Sequence, residues 1–399
     1  MAGMVAALHA EKVGAEMDNT LNLRYDHSLY DELELFVNIC NDMATGGSRL
    51  YIYGTAKRQQ MIRKFLGVCG LPFGGFVTSA TMNDDVLNSE SAVILGLTDR
   101  YYNEVYPLLL RKGVKNVIFL TEYAKNEIFY KLRPRERENL DIEVNITDHC
   151  NLNCQMCDHY SQLAEPEFLS LEEFERDIKR IADLTDKKLH SLALLGGEPL
   201  LHPQASEFPR LAREYLPHTR IVFHTNGLLL MRPNRSEIWS TCRDYNIVLR
   251  ITEYPIKFDV DTIADMADKY NVSLSVFNSV DNKIHSDNKT SYRYPFDIEK
   301  SQPNWSAIAC HQFNLCTVLR HGNLYPCPTS AYIGIFNRRF GCSLEHSADD
   351  SIDIYEARSF ADIKDFLSVP KPFCQYCAVR KRSLLPWARS KKTIDEYVD

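Results

Sequence analysis

The stretch D-I-E-V-N-I-T-D-H-C-N-L-N-C-Q-M-C, residues 141–157, opens on an alternating run and closes on three cysteines, Cys150, Cys154 and Cys157. Apolar and polar side chains alternating over D-I-E-V-N have the period of a strand with one buried face. The cysteine loop therefore follows directly on a strand end. Thiolates at three- and two-residue intervals can wrap one corner of a cubane iron–sulfur cluster, for which Cys is the usual ligand. No fourth Cys lies nearby, so one iron would be left open to an exchangeable ligand. A zinc knuckle or three unrelated buried thiols are the competing readings. Zinc normally closes a tetrahedron of four ligands, and free Cys is among the most buried residue types.

Downstream the strand–loop pattern repeats. S-L-A-L-L (191–195) reads as a buried strand running into Gly196-Gly197-Glu198-Pro199, and residues 221–224 read as a strand running into Thr225-Asn226-Gly227. Between the cysteine loop and the first of these, Leu171–Leu184 sets Phe174, Ile178, Ile181 and Leu184 at helical spacing, with acidic residues early, as helix N-termini favour. Strands near 247–251 and 273–277 and a helix over Val260–Tyr270 continue the series. Such alternation predicts an α/β fold with a parallel sheet, closed or partly closed into a barrel. Loops after parallel strands share one face, where barrel enzymes keep their chemistry. The Cys loop, the Gly-Gly-Glu and the Asn-Gly would all meet there.

The cysteine triplet together with Gly196-Gly197-Glu198-Pro199 resembles the radical S-adenosylmethionine (SAM) superfamily, over roughly residues 141–278. The resemblance implies a partial (β/α)6 TIM-like barrel and a [4Fe–4S] cluster on Cys150, Cys154 and Cys157, with SAM chelating the open iron. It assigns Gly196, Gly197 and Glu198 to the SAM amino group, Glu198 being the charge partner. Met156 falls beside the adenine, where the family often has an aromatic residue. Asn226, Arg250 and Thr252 fall at strand ends where ribose and carboxylate are held; for Arg250 an ordinary salt bridge is an equal reading. The implied chemistry is one-electron cleavage of SAM to a 5′-deoxyadenosyl radical that takes hydrogen from an unactivated carbon. A flavodoxin- or ferredoxin-type partner would supply the electron.

Cys310, Cys327, Cys374 and Cys377 form a second set, with C-Q-Y-C at 374–377 and His321-Gly322-Asn323 as a hairpin turn before Cys327. Four thiolates suit zinc and an iron–sulfur cluster alike. The pattern resembles the shortened SPASM module called a twitch domain, which implies one auxiliary [4Fe–4S] cluster. Cys316 is a spare thiol that could replace Cys310. By this resemblance the auxiliary cluster accepts the substrate electron, as in twitch-bearing aminocyclitol dehydrogenases, where an alcohol becomes a ketone. The expected substrate is a small carbohydrate-related molecule: a sugar, nucleotide-sugar or cyclitol. Epimerisation, elimination and peptide maturation are alternatives within the enzyme class, and a metal-bearing scaffold is the alternative outside it. No general acid or base is assigned: His149, His159 and His202 flank the motifs, but a His beside a motif is more often a packing neighbour.

A chain of 399 residues with twelve Cys and a net charge of −7 suits two or three domains with ample core. The charge gives no case for nucleic-acid binding, and no apolar run of about eighteen residues suggests a membrane span. Cysteines at metal-ligand spacings point to a reducing, cytoplasmic setting. The expected division is a loose tail over 1–32, a Rossmann-like domain over 33–132, a linker over 133–140, the radical SAM barrel over 141–300 and the auxiliary-cluster module over 301–399. In the second of these, strands at 50–53, 75–79, 92–97 and 116–120 alternate with helices at 58–66 and 101–111, half of a doubly wound sheet. Its first turn, Y-G-T-A-K-R-Q from Tyr53, lacks the second and third glycines of a dinucleotide fingerprint. That favours docking or dimerisation, and the unit is similar to small domains that precede sugar-modifying enzymes. Basic residues from Arg380 to Lys392 around Trp387 read as a rim for an anionic substrate or as a solvated helix start.

Overall fold

The computed structural model describes residues 28–83, 87–98, 101–120, 125, 128, 140–254, 256, 259–277, 290–293, 296, 306–307, 310, 312–313, 316–378 and 383–398. The expected tail up to residue 27 and linker residues 133–139 lie outside these. The chain divides into two compact units that part after residue 133.

In the first unit α1 (Ser28–Thr45) precedes β1 (Arg49–Gly54), α2 (Ala56–Val68), β2 (Gly75–Val77), β3 (Ser91–Gly96), α3 (Tyr102–Arg111) and β4 (Asn116–Phe119). The four strands form an all-parallel sheet in the order β2-β1-β3-β4. Strand β3, S-A-V-I-L-G, is buried at every position, as a parallel strand covered on both faces must be. Gly54 and Gly96 pair where β1 and β3 end, and a Cβ on Gly54 would lie 2.8 Å from the Gly96 carbonyl oxygen. Strand-to-strand contact is therefore sufficient reason for the glycine after Tyr53.

The second unit alternates β5 (Asp141–Asn145), α4 (Leu171–Leu184), β6 (Ser191–Leu195), α5 (Glu207–Tyr215), β7 (Arg220–Thr225), α6 (Glu237–Asp244), β8 (Val248–Thr252), α7 (Val260–Tyr270) and β9 (Leu274–Phe277). Strands β5 to β9 pair in chain order, all parallel. Alternation sorts their faces. Ile142 and Val144, Leu192 and Leu194, Ile221 and Phe223, and Leu249 and Ile251 share one core with Phe174, Ile178, Ile181, Phe208 and Trp239 of the helices. Burial of each such side chain contributes roughly 1.5–3 kcal/mol. Helix α4 begins where Ser170 Oγ accepts the Glu173 N–H at 3.1 Å, and α7 where Asp259 accepts that of Thr262 at 3.0 Å. Helix α7 stops at Asn271, which is left-handed.

Beyond β9 come β10 (Thr290–Arg293), β11 (Thr317–Arg320), β12 (Asn323–Tyr325), α8 (Pro328–Ala331), α9 (Ile333–Phe340), β13 (Ile352–Asp353), α10 (Phe360–Leu367) and β14 (Ser383–Pro386). Strand β11 lies parallel beside β5, and β12 and β13 follow antiparallel, so one eight-stranded sheet runs β13-β12-β11-β5-β6-β7-β8-β9. Strands β10 and β14 make a separate antiparallel pair. Five parallel strands are thus consecutive, and the sixth, β11, comes from past residue 300 to the opposite edge. The hairpin turn falls at His321 (φ 48) and Gly322 (φ 72), between paired Arg320 and Asn323. Positive φ at both central residues is what a two-residue type I′ connection requires. No helix among the described residues is long and apolar enough to cross a membrane.

Candidate active site with two cysteine groups

The β6 loop rests on the backbone leading into Cys150. The Gly197 N–H donates to Thr147 O at 2.9 Å and the Glu198 N–H to His149 O at 3.0 Å. A Cβ on Gly196 would meet Thr147 O at 2.3 Å, and one on Gly197 would meet His149 O at 2.1 Å. Only glycine permits this approach. Burial pushes the Cys150 thiol up, and the charges of Glu198, Cys157 and Cys154 push it further, so the three cysteines are within electrostatic reach of one another. Ionising one is opposed by the others, and a bound cation would remove that opposition, since a coordinating thiol is deprotonated outright. The outer side of the loop is fastened by residues 388–390: Gln155 N–H donates to Ala388 O at 2.9 Å, Ser390 N–H to Asn153 O at 2.8 Å and Asn153 Nδ2 to Ser390 O at 2.9 Å. Met156 stands in this loop with φ 61, a conformation uncommon for a side-chain-bearing residue.

Glu198 is fully buried. Its Oε1 accepts from the Leu200 N–H at 3.0 Å and from Thr225 Oγ1 at 2.7 Å, and its Oε2 from the Asn226 N–H at 2.8 Å. Burial outweighs these donors and pushes the carboxyl up to about 7. A carboxylate has about four acceptor sites, so one remains on Oε2 for a cationic partner. Asn226 Oδ1 accepts the Leu228 N–H at 3.1 Å, while Nδ2 donates to Asn151 Oδ1 at 2.7 Å and faces Cys150 Sγ at 3.8 Å. Thr252 is half-buried at the end of β8. Two residues on, the Tyr254 hydroxyl is pushed well up by burial and by the thiols of Cys154, Cys157 and Cys150. Its ring lies 6.1 Å from that of Trp387. No local sequence signal marks Tyr254.

The face of the sheet turned away from the helices carries a polar row. On β5 it takes Glu143 and Asn145, opposite to Ile142 and Val144, and on β7, β8 and β9 the paired His224, Arg250 and Ser275. Both amide atoms of Asn145, Glu143 Oε2, Arg250 Nε and His159 Nε2 are buried without a hydrogen-bond partner. Glu143 Oε2 stands 4.0 Å from His159 Nε2, and burial pushes the Glu143 carboxyl up to about 6. His159 Nδ1 lies 2.9 Å from Asp158 Oδ1. Cys157, Asp158 and His159 present ligand atoms within 4.8 Å of one another, a grouping that this ion pair already explains. Alternation over D-I-E-V-N is the sequence signal for Glu143 and Asn145.

Around the second group, burial pushes the thiols of Cys327 and Cys377 well up and that of Cys374 up to about 12, and each feels the charge of Cys310. Cys327, Cys374 and Cys377 are thus each within electrostatic reach of Cys310. Cys327 heads α8, and the Cys377 N–H donates to Cys374 O at 3.2 Å across a tight turn. The half-buried Cys316 thiol is pushed up by burial, then by the charges of Glu143 and Asp158, and less by those of Cys327 and Cys310. All twelve cysteines are free thiols. Of the expected basic rim, Arg389 is exposed, and residues 380–382 lie outside those described.

Residues 144–272 match the family model of the radical SAM superfamily. The matched segment contains Cys150, Cys154, Cys157, Gly196 to Glu198, Asn226, Arg250 and Thr252. Among curated relatives, the GTP 3′,8-cyclase of Staphylococcus haemolyticus is 32% identical over 116 residues, 27% of this chain and 33% of that protein. The GTP 3′,8-cyclase of Pelotomaculum thermopropionicum is 36% identical over 105 residues, 26% of this chain and 31% of that protein. The chain spans about a third of the length of the curated relatives it matches. Among solved structures, BtrN in complex with AdoMet and 2-DOIA is similar with a TM-score of 0.39 and 17% identity, over 64% of this chain and 96% of that one. Streptococcus suis SuiB bound to precursor peptide SuiA is similar with a TM-score of 0.31 and 13% identity, over 69% of this chain and 77% of that one. The likeness to the radical SAM superfamily is confined to this segment, and the cofactors that family implies are a [4Fe–4S] cluster and SAM. The residues fit both: three thiols within electrostatic reach of one another for the cluster, and a buried carboxylate with one acceptor site to spare for an ammonium.

Proposed function

We propose that this chain is a radical SAM enzyme that removes hydrogen from a sugar, nucleotide-sugar or cyclitol, oxidising an alcohol to a ketone with a second [4Fe–4S] cluster as electron acceptor. The observation that carries this reading is the presence of two separate thiol groups beside one polar sheet face. When bound, the core cluster and SAM supply the one-electron chemistry that starts hydrogen abstraction. Cys150, Cys154 and Cys157 would hold that cluster; Gly196, Gly197 and Glu198 the SAM amino group; Met156 the adenine; Asn226, Arg250 and Thr252 the ribose and carboxylate. Cys310, Cys327, Cys374 and Cys377 would hold the second cluster. The sheet is read as the partial (β/α)6 barrel, and the first unit as a Rossmann-like docking or dimerisation module. A cytoplasmic setting, a flavodoxin- or ferredoxin-type reductant and no nucleic-acid or membrane partner complete the reading.

The substrate class is supported by the unpartnered groups of Glu143, Asn145 and Arg250. Buried polar groups are normally satisfied, and hydroxyls, each both donor and acceptor, would satisfy this mixed set. Oxidation of a secondary alcohol removes a hydrogen atom from carbon, a proton from oxygen and one electron. In this reading Glu143 Oε2, which accepts no hydrogen bond, takes the proton. Redox-neutral epimerisation is the second reading, favoured by Cys316, since a thiol beside Glu143 can return a hydrogen atom to carbon. Anaerobic purification with iron and sulfide analysis tests the proposal: two four-iron sites give about eight irons per chain. Reductant and SAM should then release 5′-deoxyadenosine. Zinc in place of iron, or cleavage that survives replacement of Cys150, Cys154 and Cys157 by Ala, overturns it.

A further inference from the structure

The amide of Asn226 is fixed in a direction that its backbone alone does not require. Its N–H is held by Glu198 Oε2 at 2.8 Å and its Oδ1 by the Leu228 N–H at 3.1 Å, and the next N–H, of Gly227, is held by Thr225 Oγ1 at 3.0 Å. With Oδ1 committed to a donor, the orientation of the amide is determined. The Nδ2 atom then points at Asn151 Oδ1, 2.7 Å away, and at Cys150 Sγ, 3.8 Å away. Asn226 is itself buried, at 7% exposure, so water competes little for that N–H. A second donor, the Leu152 N–H, lies 3.3 Å from the same sulfur.

We propose that Asn226 is a positioning residue that holds an N–H against the Cys150 sulfur and so raises the reduction potential of the core cluster. The inference rests on the cluster reading above and adds a role to the ribose contact that the resemblance implies. A thiolate that gives one lone pair to iron keeps others, and hydrogen bonds to cluster sulfurs are among the groups that set potential. A donor stabilises the more negative, reduced state more than the oxidised one. Ionised Glu198 pulls in the opposite sense, so the loop after β7 carries the counterweight to the loop after β6.

The test is a redox titration followed by electron paramagnetic resonance on the full chain, reconstituted anaerobically, in the absence of SAM. The core signal is assigned by its loss when Cys150, Cys154 and Cys157 are replaced by Ala. Asn226→Leu removes the donor without adding charge, and its midpoint should fall, up to a tenfold smaller reduced-to-oxidised ratio, which is about 59 mV for one electron. Asn151→Ala, at an exposed position, removes the competing acceptor and should raise the midpoint. Shifts of opposite sign at unchanged iron content support the role. Equal midpoints, or shifts of the same sign, overturn it. If Asn226→Leu takes up no iron, Asn151→Ala decides alone, and the absence of a rise overturns the role. A wild-type chain without any core signal sinks the cluster reading instead.

Discussion

Glu198 joins two tasks at one residue. It ties the loops after β6 and β7 together through Leu200, Thr225 and Asn226, and it keeps one acceptor site on Oε2. Its carboxyl would ionise near 4.5 in the unfolded chain and is pushed by burial to about 7 in the folded one. Between those values the folded state holds a proton that the unfolded state has lost. Stability contributed by this group is therefore complete below pH 4.5 and is lost as pH rises through 7, by on the order of 3 kcal/mol. Urea unfolding of the cluster-free protein at pH 5 and at pH 7.5 should show this decline, and Glu198→Gln should flatten it. An unchanged pH dependence in the variant assigns the decline elsewhere. The same variant loses a charge-assisted hydrogen bond of about 1.5–3 kcal/mol, so SAM affinity measured by equilibrium dialysis should drop roughly tenfold or more at constant iron content. Glu198 was legible because it closes a three-residue motif. Thr225 and Asn226 were legible only as strand-end residues, since their bonds to Glu198 span 27 and 28 positions that no local pattern connects.

At the level of elements, the hairpin of β11 and β12 is held to the rest of the second unit by two buried acids. Asp177 on α4 accepts the Gly322 N–H at 3.0 Å, and Asp148 receives a two-pronged contact from Arg320, at 2.8 and 2.7 Å. The Arg320 guanidinium also lies 4.8 Å from the Tyr332 ring centroid. Asp148 has only 5% of its side chain exposed, so Arg320→Leu leaves an uncompensated buried charge. The expected cost is about 3–5 kcal/mol, read as a lower urea midpoint. Replacing Asp148 by Leu as well should restore much of the loss, and a double variant no better than the single one contradicts this account. Helix and strand positions were readable here because burial periodicity and caps are local, as Ser170 and Asp259 show. The turn was readable too, because its backbone needs Gly322. The place of β11 was not: T-V-L-R contains nothing that says it will pair with residues 142 and 143 rather than follow β9.

In the whole molecule, two cysteine groups beside one polar face, as proposed, would separate the possible reactions. Replacing Cys374 and Cys377 with Ala should lower iron from about eight to about four per chain while SAM is still cleaved with an artificial reductant. Because β11, β12 and β13 belong to the same sheet as β5, the variant should stay soluble. Deoxyadenosine accumulating without ketone marks the second group as the electron acceptor; normal product from the soluble variant removes that role. The triplet Cys150, Cys154, Cys157 and the pair Cys374, Cys377 were legible in the sequence because their spacing is short-range. Their shared approach to Glu143 was not, since it arises from chain segments brought together only by the sheet. A related long-range contact governs timing. Asn153 and Ser390 bond across 237 residues, so the wall behind Cys154 is translated well after the thiols it covers. At about 5–20 residues per second, a nascent chain carries its three thiols for tens of seconds before that wall exists. In that interval the nascent polypeptide is the form whose thiols are most open to oxidants and stray metal.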